Sequence, residues 1–430
     1  MTLLSALNRI VLATVFTLSF LGYMAPELTL TLQLIPLALF AVLAFCTVSF
    51  SDRLILAVGS LLELDGILLI VCIPLLTLEQ SIESSFQKSL PYWGVFAAYL
   101  LISRLYTAVV PVREIFESFF WSAIVCLSIF LLGSYATLLD SATTLARFEP
   151  YNFHPNLIAW IMAGYLCAMV WKIMTGSWSM KLLAGFGSVI CLTNIFFASS
   201  RGAIVGIIVG CGVIGGMAVF RGVRERRNKF LWIGLPAGAL LLASAMMIAE
   251  REQVEDAFSF VDRVLALSTP ERGLDSGFTG RWATWEAVVH TLRDGTFLLG
   301  HGMRASDAME TMIDNSYLVI VYDMGLLPLI LILFRFLHIL LTSFQGYFRA
   351  PGDQERGLRL TCTLLVVMIL VTNIVERSLF AVGNPFSLLV FLLFATPTWQ
   401  TRNLGFHSGN DPSLPRRIVA RSLADFQPSV

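Results

Sequence analysis

Charged and titratable residues are sparse in this sequence, and several of them interrupt its apolar runs in short polar motifs. Arg201 sits in Ser-Ser-Arg-Gly (199–202). Arg281 precedes Trp282, and His301 lies in Gly-His-Gly (300–302). His154 and Asn156 belong to Asn-Phe-His-Pro-Asn (152–156), Asp314 adjoins Asn315, and Glu376 adjoins Arg377. Two guanidiniums near a bilayer surface suit a diphosphate, because each presents a planar fork of donors to phosphate oxygens. A carboxylate or imidazole nearby would accept a proton from an attacking hydroxyl. Every one of these residues also has a plainer role open to it. Arg201 would anchor a helix end by snorkelling, and His154 would cap a turn before Pro155. Arg281 would pair with Asp275 or Glu286 at the surface. Asp314 and Asn315 would start a helix, and Glu376 and Arg377 would form a local ion pair. Gly202, Gly206 and Gly210 repeat at small-xxx-small spacing, which serves close helix packing rather than chemistry.

The elements that must position these residues are membrane spans. The chain has 430 residues, of which 57% are hydrophobic and only 13% charged, against roughly 25% charged in a soluble domain. The mean hydropathy is +0.77. An all-α polytopic membrane protein follows. Runs of about 20 apolar residues mark spans, and twelve are read near 9–25, 28–48, 54–77, 91–108, 114–138, 155–172, 180–198, 202–220, 230–249, 315–340, 360–375 and 380–397. Lys and Arg fix the orientation. With the N-terminus inside, the inside segments hold Arg9, Arg104, Arg113, Lys172, Lys181, Arg221, Arg224, Arg226, Arg227, Arg349, Arg356, Arg359 and Arg402, among others. The short outside loops hold only Lys88, Arg147, Arg201 and Arg377. Both termini are therefore expected in the cytoplasm, with the polar motifs gathered at the outer level.

Four segments result: spans one to nine (1–249), an outside loop (250–313), spans ten to twelve (314–397) and a disordered cytoplasmic tail (398–430). Within the loop, 251–266 suits an amphipathic helix, and 268–277 is rich in turn formers. A second helix is expected around 281–293, where Trp282, Trp285, Val289 and Leu292 recur at helical spacing. The paired tryptophans fit a headgroup-level interface and fit a packed face equally.

A second polar cluster competes with the outer one. Glu63 and Asp65 lie within the third span, where a carboxylate is costly and a proton relay is one reading. Pairing with neighbouring spans is the other. The net charge of zero implies no nucleic-acid partner. The seven cysteines all fall in apolar runs without a Cys-x-x-Cys pair, as small core residues do. With no Walker loop, no His-Glu-x-x-His and no spaced metal cluster, no cofactor and no pump with its own nucleotide domain are expected.

Three stretches resemble the O-antigen ligase and polysaccharide polymerase family: FASSRGAIVGIIVG (197–210), GRWATWEAVVHTLRDGTFLLGHG (280–302) and DNSYLVIVYDMGLLPLILIL (314–333). Their order, their spacing and the long outside loop agree over about 150–335. The resemblance implies a membrane-embedded glycosyltransferase (GT-C-like) fold with a large periplasmic loop, working without metal at the outer face of the bacterial cytoplasmic membrane. Such enzymes move a glycan from undecaprenyl diphosphate to a hydroxyl, either of the next lipid-linked repeat (polymerase) or of the lipid A core (ligase). It implies Arg201 and Arg281 as the diphosphate holders, Asp314 at the catalytic position, and Asn315, His154, Asn156, His301 and Arg377 as substrate contacts. It also implies membrane lipid, a chain-length regulator and a flippase of the same pathway as partners. Ligases of this family carry His where Asp314 stands, and that departure tilts the expectation toward a polymerase of O-antigen or exopolysaccharide repeats. A lipid-linked glycan flippase, a proton-coupled carrier using Glu63 and Asp65, and an assembly scaffold are the competing readings.

Overall fold

A computed structural model describes residues 3–23, 29–49, 51, 83–144, 154–224, 281–292, 296–298, 300–309, 313–380 and 384–397. Among these, all regular structure is helical. The α-helices are α1 (Leu3–Tyr23), α2 (Thr29–Ser49), α3 (Glu83–Val109), α4 (Val112–Thr144), α5 (Pro155–Thr175), α6 (Trp178–Phe197), α7 (Arg201–Arg224), α8 (Arg281–Thr291), α9 (Ser316–Met324), α10 (Leu326–Arg349), α11 (Asp353–Thr372) and α12 (Pro385–Ala395). The expected spans 54–77 and 230–249, the carboxylates Glu63 and Asp65, the stretches 251–266 and 268–277, Cys72 and the tail 398–430 lie outside the described residues.

Six of these helices are long and apolar enough to cross a bilayer: the segments Ser5–Gly22, Val112–Tyr135, Pro155–Thr175, Trp178–Phe197, Arg201–Gly222 and Leu326–Arg349. Helices α5, α11 and α12 form the centre, where α12 is buried from Pro385 to Ala395. Around them α6, α7 and α10 turn large apolar side chains outward, among them Phe186 (62% exposed), Ile208 (64%) and Phe334 (61%). Such a belt is unfavourable in water and ordinary against lipid tails. With no hydrophobic drive between helices in lipid, close packing has to hold them, and the glycines of α7 supply it. A Cβ on Gly202 would lie 2.5 Å from Val375, one on Gly206 would overlap Thr372, and one on Gly210 would lie 2.6 Å from Leu364. The small-residue stripe is thus the seam on which α7 runs against α11.

Basic residues cluster at one end of the bundle, and several of them form ion pairs there. Arg9 pairs with Glu114 at 3.4 Å, Lys172 with Glu117 at 2.5 Å, and Arg359 with Glu355 at 3.4 Å. The polar motifs lie at the opposite end, called here the mouth.

Two expected spans take a different form. The run 315–340 is broken at Gly325 (φ 91°), whose amide caps α9 by donating to the carbonyls of Ile320 and Val321. Helix α10 alone is about 36 Å long at 1.5 Å per residue, enough to cross. It forms a hairpin with α11, with Arg359 Nη1 donating to the Thr342 carbonyl at 3.2 Å, so Leu326 lies at the same end as Thr372. Because Ser316 also bonds Asn373, both ends of α9 sit at the mouth, outside the spanning segment. The run 380–397 yields only the 11 residues of α12, about 16 Å. Asn384 and Pro385 start it, and Pro397 keeps Thr396 extended. Its last carbonyls are bonded by two buried arginines: Arg104 Nη1 donates to Ala395 at 2.6 Å, and Arg335 donates to Phe394 at 2.9 Å and to Thr396. Cations at a helix C-terminus satisfy orphan carbonyls and offset the helix dipole.

Candidate functional site

The mouth is assembled from four pieces of chain. The first is the start of α7. Ser199 takes a left-handed conformation (φ 53°), which turns the chain sharply so that Arg201 opens α7. Gly202 lies against Val375 and Glu376 in the turn after α11.

The second piece is that turn itself, stapled to α9. Ser316 N donates to the carbonyls of Asn373 and Glu376, both at 3.0 Å. Its hydroxyl lies within donating reach of Asn373 Oδ1 (2.6 Å) and the Glu376 carbonyl (2.8 Å), and it accepts from Ser378 N at 3.0 Å. Asn315 caps α9, its Oδ1 accepting from the amides of Tyr317 (2.9 Å) and Leu318 (3.0 Å).

The third piece is α8. Val288 and Leu292 are buried with Ile313 against Leu318, Val319, Val321 and Tyr322. This anchorage brings Arg281 Nε to 3.2 Å from Asp314 Oδ2. The side chains are 20% and 35% exposed, so the pair is open to solvent on one side. Arg281 is thus held by Asp314 rather than by its local candidate Glu286, and the other local candidate, Asp275, lies outside the described residues. The buried face also differs from the expected stripe: it runs through Trp285, Val288 and Leu292, while Trp282 and Val289 point outward.

The fourth piece is the loop 300–309, which docks on the end of α9. Gly300 (φ 75°) comes so close that a Cβ there would lie 2.5 Å from the Asp323 carbonyl. His301 N donates to the Tyr322 carbonyl at 2.7 Å, and the two rings lie 4.5 Å apart. Burial holds the His301 imidazole below its ordinary pKa, toward the neutral form that accepts a proton. The loop is held by Asp323. Its carboxylate accepts from Ser306 N (2.8 Å), Ser306 Oγ (3.1 Å) and Arg304 N (3.1 Å). Burial pushes that carboxyl up to about 6, against the lowering effect of these bonds and of the Arg377 charge.

Arg377 donates to Ser306 Oγ at 2.9 Å and to Asp307 at 2.5 Å, across the mouth rather than to its neighbour Glu376. Arg304 also pairs with Asp307, and its guanidinium lies over the Tyr92 ring of α3 at 4.2 Å from the centroid. His154 stands exposed as the N-cap of α5. It lies at the same end of the bundle, because Trp160 and Phe386, in the first turns of α5 and α12, pack at 4.4 Å between centroids.

The candidate residues therefore reach one end of the bundle. The direct bonds join Arg281 to Asp314, and Arg377 to the loop that carries His301. Asp323, Arg304, Ser306, Asp307 and Ser316 belong to the site without having been singled out from the sequence. Asp323 had a signal: a lone carboxylate in an apolar run, two residues before a glycine.

The helices define a multi-pass membrane protein. Residues 186–333, from α6 into α10, match the model of the O-antigen ligase family, in agreement with the resemblance carried by the motifs. That segment contains Arg201, Arg281, His301, Asp314, Asn315 and Asp323, whereas His154, Asn156 and Arg377 lie outside it. No curated protein matches the chain.

Proposed function

We propose that this protein lengthens lipid-linked glycans, transferring an oligosaccharide from undecaprenyl diphosphate to a hydroxyl of the next lipid-linked repeat. On this reading it is a polymerase of O-antigen or exopolysaccharide repeats in the bacterial cytoplasmic membrane. Its mouth faces outward and both termini face the cytoplasm. A flippase and a chain-length regulator act with it.

The observation that carries the reading is the half-open Arg281–Asp314 pair, set at the end of the bundle where Arg201 opens α7. Arg281 has donors to spare for a diphosphate oxygen, because Asp314 occupies only one side of its fork. In the reaction the acceptor hydroxyl attacks the anomeric carbon, and the bond from that carbon to the diphosphate oxygen breaks. The diphosphate leaves with the bonding electrons, and Arg201 and Arg281 offset its growing charge. Asp314 takes the hydroxyl proton. Its carboxylate is already oriented by Arg281, and the charge it gives up is replaced beside Arg281 by that of the leaving group. Arg304 and Arg377 share Asp307, which ties the loop 300–309 to the turn after α11 beside the pair. His301 and His154 stand as second acceptors for the proton.

The test is a gel of surface and lipid-linked glycans from a deletion strain carrying the wild type, Arg201→Ala or Arg281→Ala. The wild type restores long chains. Each variant leaves single repeats that reach the surface without lengthening. Long chains stranded on the lipid carrier would instead mean a ligase. Full rescue by both variants, or repeats trapped inside, would overturn the reading.

A further inference from the structure

We propose that the outward face of α8 is a glycan-binding platform, on which the Trp282 ring stacks against a sugar ring of the lipid-linked repeat. This rests on the transferase reading and adds a specificity-determining residue to it.

The helix has two unlike sides. Val288 and Leu292 are buried and fix α8 to Ile313 and α9, and Trp285 is partly buried. On the other side Trp282 (62% exposed) is followed four residues on by Glu286, and Val289 (46% exposed) and His290 stand three and four residues beyond Glu286, so they share one face. That face does not suit hydrocarbon, because it would bring a carboxylate and an imidazole into lipid. It does suit a sugar, whose flat C–H side covers an aromatic ring while its hydroxyls donate to a carboxylate and exchange hydrogen bonds with an imidazole.

Position supplies the second argument. Arg281 and Trp282 both lie in the first turn of α8, and Arg281 is held 3.2 Å from Asp314, so a glycan whose diphosphate is engaged by Arg281 begins within one helical turn of Trp282. Trp285, whose ring centroid lies 6.3 Å from that of Trp282 at a tilt of 51°, backs the exposed ring and limits its rotation. The ring is therefore preorganised, which lowers the entropy lost on binding.

The experiment uses the detergent-solubilised full chain and, as probe, the oligosaccharide repeat released from the host's lipid carrier by mild acid. Saturation-transfer NMR reads binding without any turnover. The expected result is binding to the wild type and to Trp282→Phe. Trp282→Ala and Trp282→Leu bind about tenfold more weakly, roughly the 1.4 kcal/mol that one stacked ring supplies. Leucine keeps apolar bulk for a lipid interface and loses only the stacking face. Undiminished binding by Trp282→Leu, or no binding of the repeat by the wild type, would overturn the platform. If Arg281→Ala stops glycan lengthening while Trp282→Ala binds the repeat as the wild type does, the platform alone falls. If Arg201→Ala and Arg281→Ala both lengthen glycans normally, the transferase reading falls, and the spectra still judge the platform by themselves.

Discussion

Acidification should tighten the loop that carries His301, and the effect should vanish in Asp323→Asn. When the loop 300–309 lifts away, Asp323 meets water and returns to an ordinary carboxyl pKa of 3.8, whereas in the docked state burial raises it to about 6. A carboxyl whose pKa is higher in the docked state binds protons there first. The docked state therefore gains stability as pH falls through about 6, and loses it as pH rises through the same value. Between neutral pH and pH 5 the gain approaches the ~1.4 kcal/mol of one tenfold step, so the open population falls close to tenfold. Hydrogen exchange at the amides of Arg304 and Ser306, corrected for the intrinsic pH dependence of exchange, measures that population. Asp323→Asn should lose the pH dependence. It should also raise exchange at every pH, because its amide nitrogen cannot accept from both sets of loop donors, a loss of about 1–3 kcal/mol. Corrected protection that is flat between pH 5 and 7.5 in the wild type, or an unchanged slope in Asp323→Asn, would refute the reasoning.

The remaining expectations concern the scaffold. Gly206→Leu should drive α7 off Thr372 and Met368 and cost about 1–3 kcal/mol, seen as a melting temperature in detergent lowered by a few degrees. Gly212→Leu, at a position with nothing within 4 Å of a Cβ, should melt as the wild type does. Arg335→Ala should leave the carbonyls of Phe394 and Thr396 without their guanidinium in the apolar centre, at about 1–3 kcal/mol for each unsatisfied acceptor. Combined with Arg104→Ala, it should abolish accumulation of folded protein, measured by size-exclusion profile in detergent.

Hydropathy made the helical frame legible, because the apolar runs exceed what a soluble core needs. It obscured what interrupts that frame. Gly325 breaks the run 315–340 within residues that are apolar on both sides, so the short helix α9 reads in sequence as the first part of a span. The stops of α12 were written as Asn384-Pro385 and Thr396-Pro397, yet the hydropathy of Leu379, Phe380 and their neighbours outweighed them. At α8 the two tryptophans fell on one apolar stripe that suited a headgroup-level interface and a packed face equally, and the structure separates them. The smaller Val288 is the residue that fits against Ile313, and Trp282 is left outside.

The site was legible as a set of residue types near one level, not as a set of pairs. Glu286 was as good a partner for Arg281 as Asp314, and only the docking of α8 on α9 decides between them. Arg377 looked like half of a local pair with Glu376 and instead reaches Asp307 in a loop 70 residues earlier. Asp323 shows in the sequence as a lone carboxylate before Gly325, but its donors, the amides of Arg304 and Ser306, leave no mark there.

The most direct test of the account is transfer by the purified protein in vesicles, with lipid-linked repeats as both donor and acceptor, comparing the wild type with Arg281→Ala and Asp314→Asn. The account predicts chain lengthening by the wild type. It predicts a fall of roughly 100-fold or more for each variant, as expected for loss of a charge-stabilising donor or of a general base, with folding retained. Full-rate lengthening by Asp314→Asn would contradict the proton-accepting role assigned to that carboxylate, and full-rate lengthening by both variants would contradict the site itself.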